Sequence, residues 1–317
     1  MNNYKFSVVI IFIFLNTFFI RGQQELSFNH YMFNSQLFNP AFVGSEENLS
    51  ISSIHSIQLV GFEGNPTTNS ILLDTPFKNS LGGGIEVISD QIGPVSNSFI
   101  AINTAYHLKI NDNGQRLSLG LKLSGNSYNV NFSSLKFDDL SDPNASKTEN
   151  YFIENIGFGL HFQTDKLYLG FSIPYFLEHR SINKQRHYYL SGGFKKGLND
   201  KLVINPNFLI KKTSNAPTSI DISSIVFYDD LFWLGINYAA SERAFFSSDN
   251  SGGNISIISG FKLNSSISIG YSIASQQGGW ASSAQGPSHE IYIKFSPSKK
   301  TSQSDGENST EVSESEK

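Results

Sequence analysis

Apolar and polar residues alternate along most of this chain. The stretch "RLSLGLKLSGN" places leucines on one face and polar or small residues on the other, and "NIGFGLHF", "KLYLGFSI" and "HEIYIKF" alternate in the same way. A period of two residues is typical of strands with one apolar and one polar face. Fourteen such segments are predicted, at about residues 48–59, 67–75, 81–90, 97–110, 116–130, 151–163, 166–175, 186–197, 201–212, 218–228, 231–240, 252–262, 266–275 and 287–296.

The connectors between these segments alternate in length. Every second connector is short, as in "TD" (164–165) and "DD" (229–230), whereas the others are mostly longer, up to the stretch 131–150. In an up-and-down barrel, alternate connectors lie at opposite ends, and outer-membrane barrels have short periplasmic turns and longer external loops. Each segment is near the roughly 9–11 residues that cross a bilayer at a tilt. The sequence therefore predicts an all-β fold, namely a transmembrane up-and-down antiparallel β-barrel of about 14 strands, with both termini on the periplasmic side.

Polar residues opposite the apolar stripe fit a wet lumen, and they are Asn103, Lys122, His161, Asn205, Asn207, Lys211, Asp221 and Lys294. Aromatic residues near the strand ends fit interfacial girdles, and they are Tyr128, Tyr151, Tyr175, Tyr188, Tyr228, Phe232, Trp233 and Phe295. Pro174 and Pro206 lack the N–H that a ladder needs, so we place them at a strand end and at a bulge. The alternative fold is a secreted β-sandwich or propeller, in which the apolar stripe would face a dry core.

Residues 1–22 have the features of a secretory signal peptide, with one positive charge at Lys5, an apolar run and the small residue Gly22. The run is shorter than the roughly 20 residues of a spanning helix, and Asn16 and Thr17 interrupt it. We expect cleavage after Gly22, and the alternative is an uncleaved N-terminal anchor. Since the chain has no Cys, it cannot carry a lipid on a cysteine.

Composition limits the possible functions and the domain plan. The net charge is −4 and there is no basic cluster, which argues against nucleic acid as a partner. The last residues are rich in Ser and Glu with almost no apolar side chain, so we expect them to be disordered. We divide the chain into a signal peptide (1–22), an N-terminal periplasmic or plug segment (23–47), an outer-membrane barrel (48–296) and a disordered polar tail (297–317).

No sequence pattern predicts catalysis. The glycine runs "LGGGIE" and "SGGFKKG" have neither the spacing nor the following helix of a phosphate loop or a dinucleotide site. Asp138, Asp139 and Asp142 cluster in the longest loop, but their spacing is not that of an EF-hand, and a solvated external loop is the simpler interpretation. The seven His residues form no metal-ligand pattern. We therefore predict that the protein is not an enzyme, with no catalytic residue, no metal site and no cofactor.

The segment "YMFNSQLFNPAFVGS" (31–45) has neither strand alternation nor a helical period, yet it is rich in aromatics. It resembles the opening signature of the PorP/SprF family of type IX secretion system outer-membrane proteins, an aromatic-Met-Phe-Asn start followed by Asn-Pro-Ala-aromatic-small-Gly. The resemblance continues to about residue 296 through "GGGIEVISDQIGPVSNS", "DKLYLGFSIP" and "SHEIYIKF", and the order of these blocks is more specific than any one of them. Two departures are Ser35, where the family usually has Pro, and "QLVGF" (58–62), where it often has Trp.

The resemblance implies a role in exporting or anchoring large surface proteins, including gliding adhesins, in Bacteroidota. It implies two kinds of partner, a secreted cargo protein with a C-terminal sorting domain and the periplasmic secretion and gliding machinery, within the outer membrane. We expect the N-terminal motif to plug the lumen or to dock a periplasmic partner, and its residues are Tyr31, Met32, Phe33, Asn34, Phe38, Asn39, Pro40, Ala41 and Gly44. The candidate cargo-contact residues lie in the longest loop, and they are Phe132, Phe137, Asp138, Asp139 and Asp142.

Two other functions are compatible with the sequence. One is an outer-membrane channel for small apolar solutes, similar to fatty-acid transport barrels, which also have fourteen strands and an N-terminal plug. The other is a soluble secreted adhesin. The strand pattern by itself does not separate these functions from a secretion role.

Overall fold

The structure is a computed structural model that describes residues 28–46, 48–111, 113–132, 148–179, 185–214, 216–242, 245, 253–275 and 286–297. No helix in these ranges is long and apolar enough to cross a membrane. Within them one antiparallel sheet contains fifteen strands. The strands are β1 (Ser50–Ile57), β2 (Thr67–Pro76), β3 (Leu81–Ile92), β4 (Val95–Lys109), β5 (Arg116–Asn131), β6 (Thr148–Gln163), β7 (Leu167–Ile173), β8 (His187–Phe194), β9 (Lys196–Gly197), β10 (Leu202–Thr213), β11 (Ser219–Tyr228), β12 (Phe232–Ser241), β13 (Asn254–Lys262), β14 (Ile267–Ala274) and β15 (Ser288–Phe295).

The sheet closes on itself. Apart from β8, which pairs with β10, each strand pairs with the next one along the chain, and β15 pairs with β1 from Ile51 opposite Phe295 to Ile57 opposite His289. The two pieces β8 and β9 both pair with β10 and together form one strand of the wall. The predicted fold class is therefore confirmed as a closed antiparallel barrel of fourteen strands, and closure leaves no sheet edge at the first and last strands.

The wall is apolar outside and polar inside. Ile102 and Leu123 face outward with 61% and 62% of their surface exposed, whereas Glu86, Asn103 and Lys122 face inward and are buried. In water this arrangement would be unfavourable, since a soluble protein rarely exposes a continuous apolar surface of this size. In lipid it is the stable arrangement, because the outer side chains meet hydrocarbon and the sheet satisfies the backbone internally.

The strands that form the wall differ in length. β4, β5 and β6 have 15, 16 and 16 residues, whereas β7 has 7. β6 pairs with β5 along its whole length, from Thr148 to Gln163, but its pairing with β7 begins only at Phe158. The extra length lies at the end of the barrel that carries the long connectors, so the wall is tallest at β4 to β6.

Pro206 lies inside β10 without a bulge, so that part of the prediction is wrong. The register is the same on both sides of it, in the pairs Asn207–Gly193 and Ile204–Lys196. Pro206 has no N–H for the Phe194 carbonyl opposite, and the side-chain amide of Asn205 donates to that carbonyl instead, at 2.8 Å. Pro174 directly follows β7, which ends at Ile173, and therefore lies at a strand end as predicted.

The core of the protein is inside the barrel. The lumen is not uniformly polar, because several strands turn an apolar residue inward, among them Ile54, Leu72, Leu209, Ile225 and Ile258. These side chains pack with aromatic residues from the segment that precedes β1. Residues 28–46, named here the lumenal segment, therefore contribute the centre of the hydrophobic core.

Candidate functional site

The lumenal segment crosses the barrel interior as three single turns of 3₁₀ helix, Tyr31–Phe33, Ser35–Leu37 and Pro40–Phe42. The third turn has a clear local cause. The Asn39 side chain accepts a hydrogen bond from the backbone N–H of Ala41 at 2.9 Å, and Pro40 follows with a backbone angle that suits a helical start. Asn39-Pro40 therefore begins a helical turn inside the lumen.

The strands that this turn contacts carry glycine, so no side chain separates the turn from the barrel wall. A side chain on Gly120 of β5 would place its Cβ 2.2 Å from the backbone nitrogen of Ala41, and one on Gly159 of β6 would lie 2.0 Å from Asn39 Oδ1. Asn39 also donates to the backbone carbonyl of Leu160 on β6, at 2.8 Å. The glycines of the strands and the Asn-Pro-Ala sequence therefore form one contact, which the strand pattern by itself gave no reason to expect.

A buried ion pair holds the middle of the lumenal segment. Lys122 Nζ lies 2.9 Å from Glu86 Oε2, and both side chains are almost completely buried. Lys122 also donates to the backbone carbonyl of Leu37 at 3.1 Å, and Asn103 donates to the other oxygen of Glu86 at 2.6 Å. A buried charge is tolerated only when it is paired and hydrogen-bonded, so these residues form a fixed unit that includes the segment backbone.

Glu290 of β15 anchors the start of the segment. Its carboxylate accepts the backbone N–H groups of Asn29 at 3.1 Å and His30 at 2.9 Å, and it lies 2.5 Å from His30 Nδ1. The Tyr31 hydroxyl shares a hydrogen bond of 3.0 Å with the Ser223 hydroxyl on β11.

Aromatic packing completes the filling of the lumen. The Phe33 ring lies 5.4 Å from that of Tyr292 and 5.5 Å from that of Trp233. On the other side of the lumen, the Phe38 ring lies 5.7 Å from the ring of Tyr189 on β8. Such aromatic pairs add stability beyond that of their buried area. They also connect the segment to strands on opposite sides of the barrel.

The end of the segment closes against the strands near the short turns. Gly44 N–H donates to the Asp74 carboxylate on β2, and His107 on β4 contacts the Val43 carbonyl at 3.0 Å. Arg116 donates to the Ser45 carbonyl at 3.0 Å. The segment thus has polar contacts with strands around the barrel, and it leaves the lumen at the short-turn end.

A cavity of about 270 Å³ lies between the segment and the short-turn mouth, and we name it the short-turn vestibule. The partly exposed residues Met32 and Ser35 of the segment form its inner face. Its charged lining is balanced, and it consists of Glu46, Asp74, Asp165, Lys166, Lys195 and Lys294. No group of three or more metal-ligating side chains occurs among the described residues.

The structure brings all nine residues of the predicted N-terminal motif together inside the barrel. Of the predicted loop residues, Phe132 lies just after the end of β5, whereas Phe137, Asp138, Asp139 and Asp142 lie outside the described residues. The sequence reasoning missed Glu86 and Glu290 as anchors of the segment. A signal was present, because Glu86 lies between Ile85 and Val87 and Glu290 precedes Ile291, and an acidic residue that such a strand buries needs a partner.

A closed barrel with an apolar outer face, a polar and plugged interior and short turns at one end defines an outer-membrane β-barrel protein. The sequence profile of the family described as "Type IX secretion system membrane protein PorP/SprF" matches residues 20–295. The chain belongs to this family, and the resemblance inferred from the motif blocks is confirmed. It is accordingly an outer-membrane component of a type IX secretion system.

Solved structures agree on the fold. The "CymD monoaromatic hydrocarbon channel" is 12% identical, with a TM-score of 0.53 over 83% of this chain and 92% of that one. The Ralstonia pickettii toluene transporter TbuX is 10% identical, with a TM-score of 0.51 over 83% and 93%. At these identities the likeness is one of fold alone. No curated protein sequence matches the chain.

Proposed function

We propose that this protein is a noncatalytic receptor that holds an exported type IX cargo protein at the external end of the barrel. The lumenal segment seals the barrel, and the short-turn vestibule receives a periplasmic partner of the secretion or gliding machinery. The observation that carries this proposal is the filled lumen, with Lys122 and Glu86 fixed to the segment backbone. A barrel filled in this way is suited to gripping a protein at its mouth, not to conducting one.

The energetics support a permanent seal. Withdrawal of the segment would remove the backbone carbonyl that Lys122 binds and the N–H groups that Glu290 binds. Removing one partner of a buried charged group costs about 3–5 kcal/mol, and the segment carries several such contacts in addition to its aromatic packing. Passage of a large polypeptide through the lumen would have to overcome all of these terms together.

The external end is where we place the cargo. Outer-membrane barrels carry their longer loops outside the cell, and here the longest connector follows β5 at Phe132. The sorting domain of the cargo would contact this loop, including Phe137, Asp138, Asp139 and Asp142. Its C-terminal position in the cargo means that the domain leaves the secretion channel last, when a neighbouring receptor can capture it.

The short-turn end is where we place the periplasmic partner. The vestibule exposes Met32 of the family motif and the nearby Ser35 beneath a rim that carries both signs of charge. A partner residue that enters this cavity would contact the motif without displacing it from the lumen. Residues 1–22 would be removed during export, which leaves the lumenal segment near the new N-terminus.

The proposal is tested by affinity purification of the tagged protein from detergent-solubilised outer membranes, together with surface display in a deletion strain. We expect a large secreted protein with a C-terminal sorting domain to copurify, and its display to be lost in the deletion strain. Recovery of no secreted protein, combined with normal display, would refute the receptor function.

A channel for small apolar solutes is the second candidate, and the fold of two hydrocarbon-transporting barrels favours it. Uptake of toluene by vesicles that contain the purified protein separates the two functions. A receptor with a sealed lumen should give the uptake of empty vesicles, whereas a channel should raise it severalfold.

A further inference from the structure

β6 extends above its pairing with β7. β7 ends at Ile173 opposite Phe158, and the chain from Phe176 to His179 then follows this side of β6 as far as Glu154. Among the described residues no strand pairs with this side of β6 at Thr148–Phe152. The opposite side of β6 is fully paired with β5 up to Thr148. Within the described part of the chain, the tall part of the wall therefore ends in a strand edge at Thr148–Phe152.

The alternation of the backbone identifies the groups on this edge. Thr164 N–H donates to the Leu167 carbonyl in the β6–β7 turn, so the even-numbered residues of β6 direct their N–H and C=O groups toward β7. The carbonyls of Ile156 and Glu154 follow this rule and accept hydrogen bonds from Phe176 N–H, at 2.8 Å, and from the His179 ring, at 3.0 Å. The next three even positions are Phe152, Asn150 and Thr148.

These three positions carry backbone groups with no described partner. The hydrogen bonds of the described chain include none from the backbone of Thr148, Asn150 or Phe152 to a residue on the β7 side. The three residues occupy alternate positions of one strand, so their N–H and C=O groups repeat about every 6.6 Å along the edge. Another extended backbone has hydrogen-bonding groups at the same spacing and can pair with all three residues, whereas a small molecule cannot.

The edge lies outside the hydrocarbon layer. On β5 the outward apolar stripe ends at Leu123, and the next outward positions are Gly125, Ser127 and Asn129. On β6 the exposed Glu154 follows the same trend. Charged and polar outward side chains at this height indicate water or headgroups, not lipid tails. By the rule that long connectors are external, the edge faces the outside of the cell.

Phe152 adds a side-chain contact to the edge. Its ring lies over Gly125 of the neighbouring strand, and 70% of its surface is exposed. A ring exposed to this extent is available to pack against the side chain of a partner strand. Proteins usually protect strand edges with charge, proline or a bulge, and none of these occurs at Thr148, Asn150 or Phe152.

We propose that an extended strand of the exported protein pairs with β6 at Thr148–Phe152 and adds a strand to the tall part of the wall. This inference rests on the receptor function proposed above and deepens it. Backbone pairing would supply the affinity, and a large apolar residue of the partner strand would pack on Phe152. The loop residues that bind the Ile156 and Glu154 carbonyls end just below, so the new strand continues a ladder that the chain itself begins.

A second copy of the chain fits the edge less well. Two barrels held upright in one membrane present the same edge with strands tilted by about 35–45° in opposite senses, so the two backbones would cross instead of running side by side. A strand on an exported protein has no such restriction. The exported protein is therefore the occupant that the geometry favours.

The test compares Asn150→Pro with Asn150→Ala in the full-length protein. Both variants lose the side-chain contact with Asn129, but only proline removes the outward N–H and places its ring on the edge. Proline is tolerated on an edge strand whose N–H faces solvent, and the heat-induced shift in gel mobility should remain that of wild type for both variants. We expect copurification of the exported protein to fall about tenfold with proline and less than about twofold with alanine.

The outcomes separate this inference from the receptor function. If wild type recovers no exported protein, the receptor function fails. If wild type and Asn150→Pro recover equal amounts, the receptor function stands and the edge site is overturned. If both variants lose binding equally, the Asn150 side chain is responsible and backbone pairing is overturned.

Cross-linking gives a second measurement that does not depend on a proline. The described residues contain no cysteine and neither does the rest of the sequence, so a single cysteine can be labelled cleanly. Thr148→Cys on the edge should cross-link to the exported protein, whereas Ser127→Cys, which also faces outward but lies on the fully paired β5, should not. Equal cross-linking from both sites, or cross-linking of Thr148→Cys only to a second copy of the chain, would overturn the proposal.

Discussion

Gly44 of the lumenal segment lies against Gly82 of β3 with no room for a side chain on either residue. A Cβ on Gly44 would lie 2.3 Å from Gly82 Cα, and a Cβ on Gly82 would lie 2.1 Å from the Val43 carbonyl oxygen. Gly44 also has a φ of 69°, in the left-handed region that L-residues rarely adopt. This contact is where the segment leaves the lumen and turns toward β1, so two glycines far apart in sequence fix the exit of the segment.

Gly44→Ala should destabilise the barrel because it combines a strained backbone with a steric clash. We expect a loss of about 2–4 kcal/mol, since the left-handed conformation costs about 1 kcal/mol and overpacking typically adds about 1–3 kcal/mol. The temperature of the heat-induced shift in gel mobility measures the effect. Gly61→Ala is the matched control, because Gly61 has a φ of 103° but no atom within 4 Å of an added Cβ. Equal effects of the two substitutions would show that the contact with Gly82 is unimportant.

Lys122→Met should be strongly destabilising because it leaves Glu86 buried without its charged partner. The expected cost is about 3–5 kcal/mol, and the double variant Lys122→Met/Glu86→Gln should recover a large part of it. Urea unfolding in detergent, followed by tryptophan fluorescence, measures both. Lys262→Met is the control, since its ion pair with Asp230 is largely exposed and should contribute less than about 1 kcal/mol. A mild effect of Lys122→Met would contradict the role of this pair as an anchor.

Phe33→Ala should open a path beside the lumenal segment. The partly buried ring of Phe33 packs on Tyr292 and Trp233, so its removal costs less than the roughly 3–5 kcal/mol of a fully buried Phe but weakens the seal. We expect cells that express this variant to admit large antibiotics that the intact outer membrane excludes. Phe62→Ala, at an exposed position of the β1–β2 connector, is the control and should leave permeability unchanged. A stable, impermeable Phe33→Ala barrel that no longer supports secretion would instead indicate that the motif serves only to dock a partner.

Asn205→Ala should destabilise the wall at β8 and β10 because it leaves the Phe194 carbonyl without a donor. A buried acceptor left unsatisfied costs about 1–3 kcal/mol. Pro206→Ala restores a backbone N–H at the position that faces Phe194, so the double variant Asn205→Ala/Pro206→Ala should be more stable than Asn205→Ala alone. Thermal unfolding of the three variants tests this coupling. Additive effects would mean that Asn205 does not substitute for the missing N–H.

Much of the barrel could be predicted from the sequence, because each strand crosses between the same two environments. Residues 117–123 alternate strictly since one face meets lipid and the other the lumen, and this alternation does not depend on which strands are neighbours. The number of alternating segments predicted the number of strands, and the alternating connector lengths predicted the side of each turn. The bulge at Pro206 was predicted wrongly, because a side-chain amide from the preceding residue can replace a ladder bond without any change in register.

The contents of the lumen could not be predicted in the same way. The inward residues Ile54 and Ile225 look inconsistent with a wet channel until the aromatic residues of the lumenal segment are placed against them. Gly120 and Gly159 look like ordinary strand glycines until Pro40 and Ala41 pass beside them. Each of these contacts joins residues far apart in sequence, so no local pattern contains them.

The sequence by itself therefore determined the membrane-facing surface, the strand count, the family and the motif that precedes β1, since these depend on local alternation and on residue order. Only the tertiary structure decided that the motif lies inside the lumen, that Lys122, Glu86 and Glu290 bind the segment there, and that β6 extends beyond its pairing with β7. The physical reason is that burial, pairing of charges and the relative length of neighbouring strands are properties of contacts across the barrel, and these exist only once the sheet has closed.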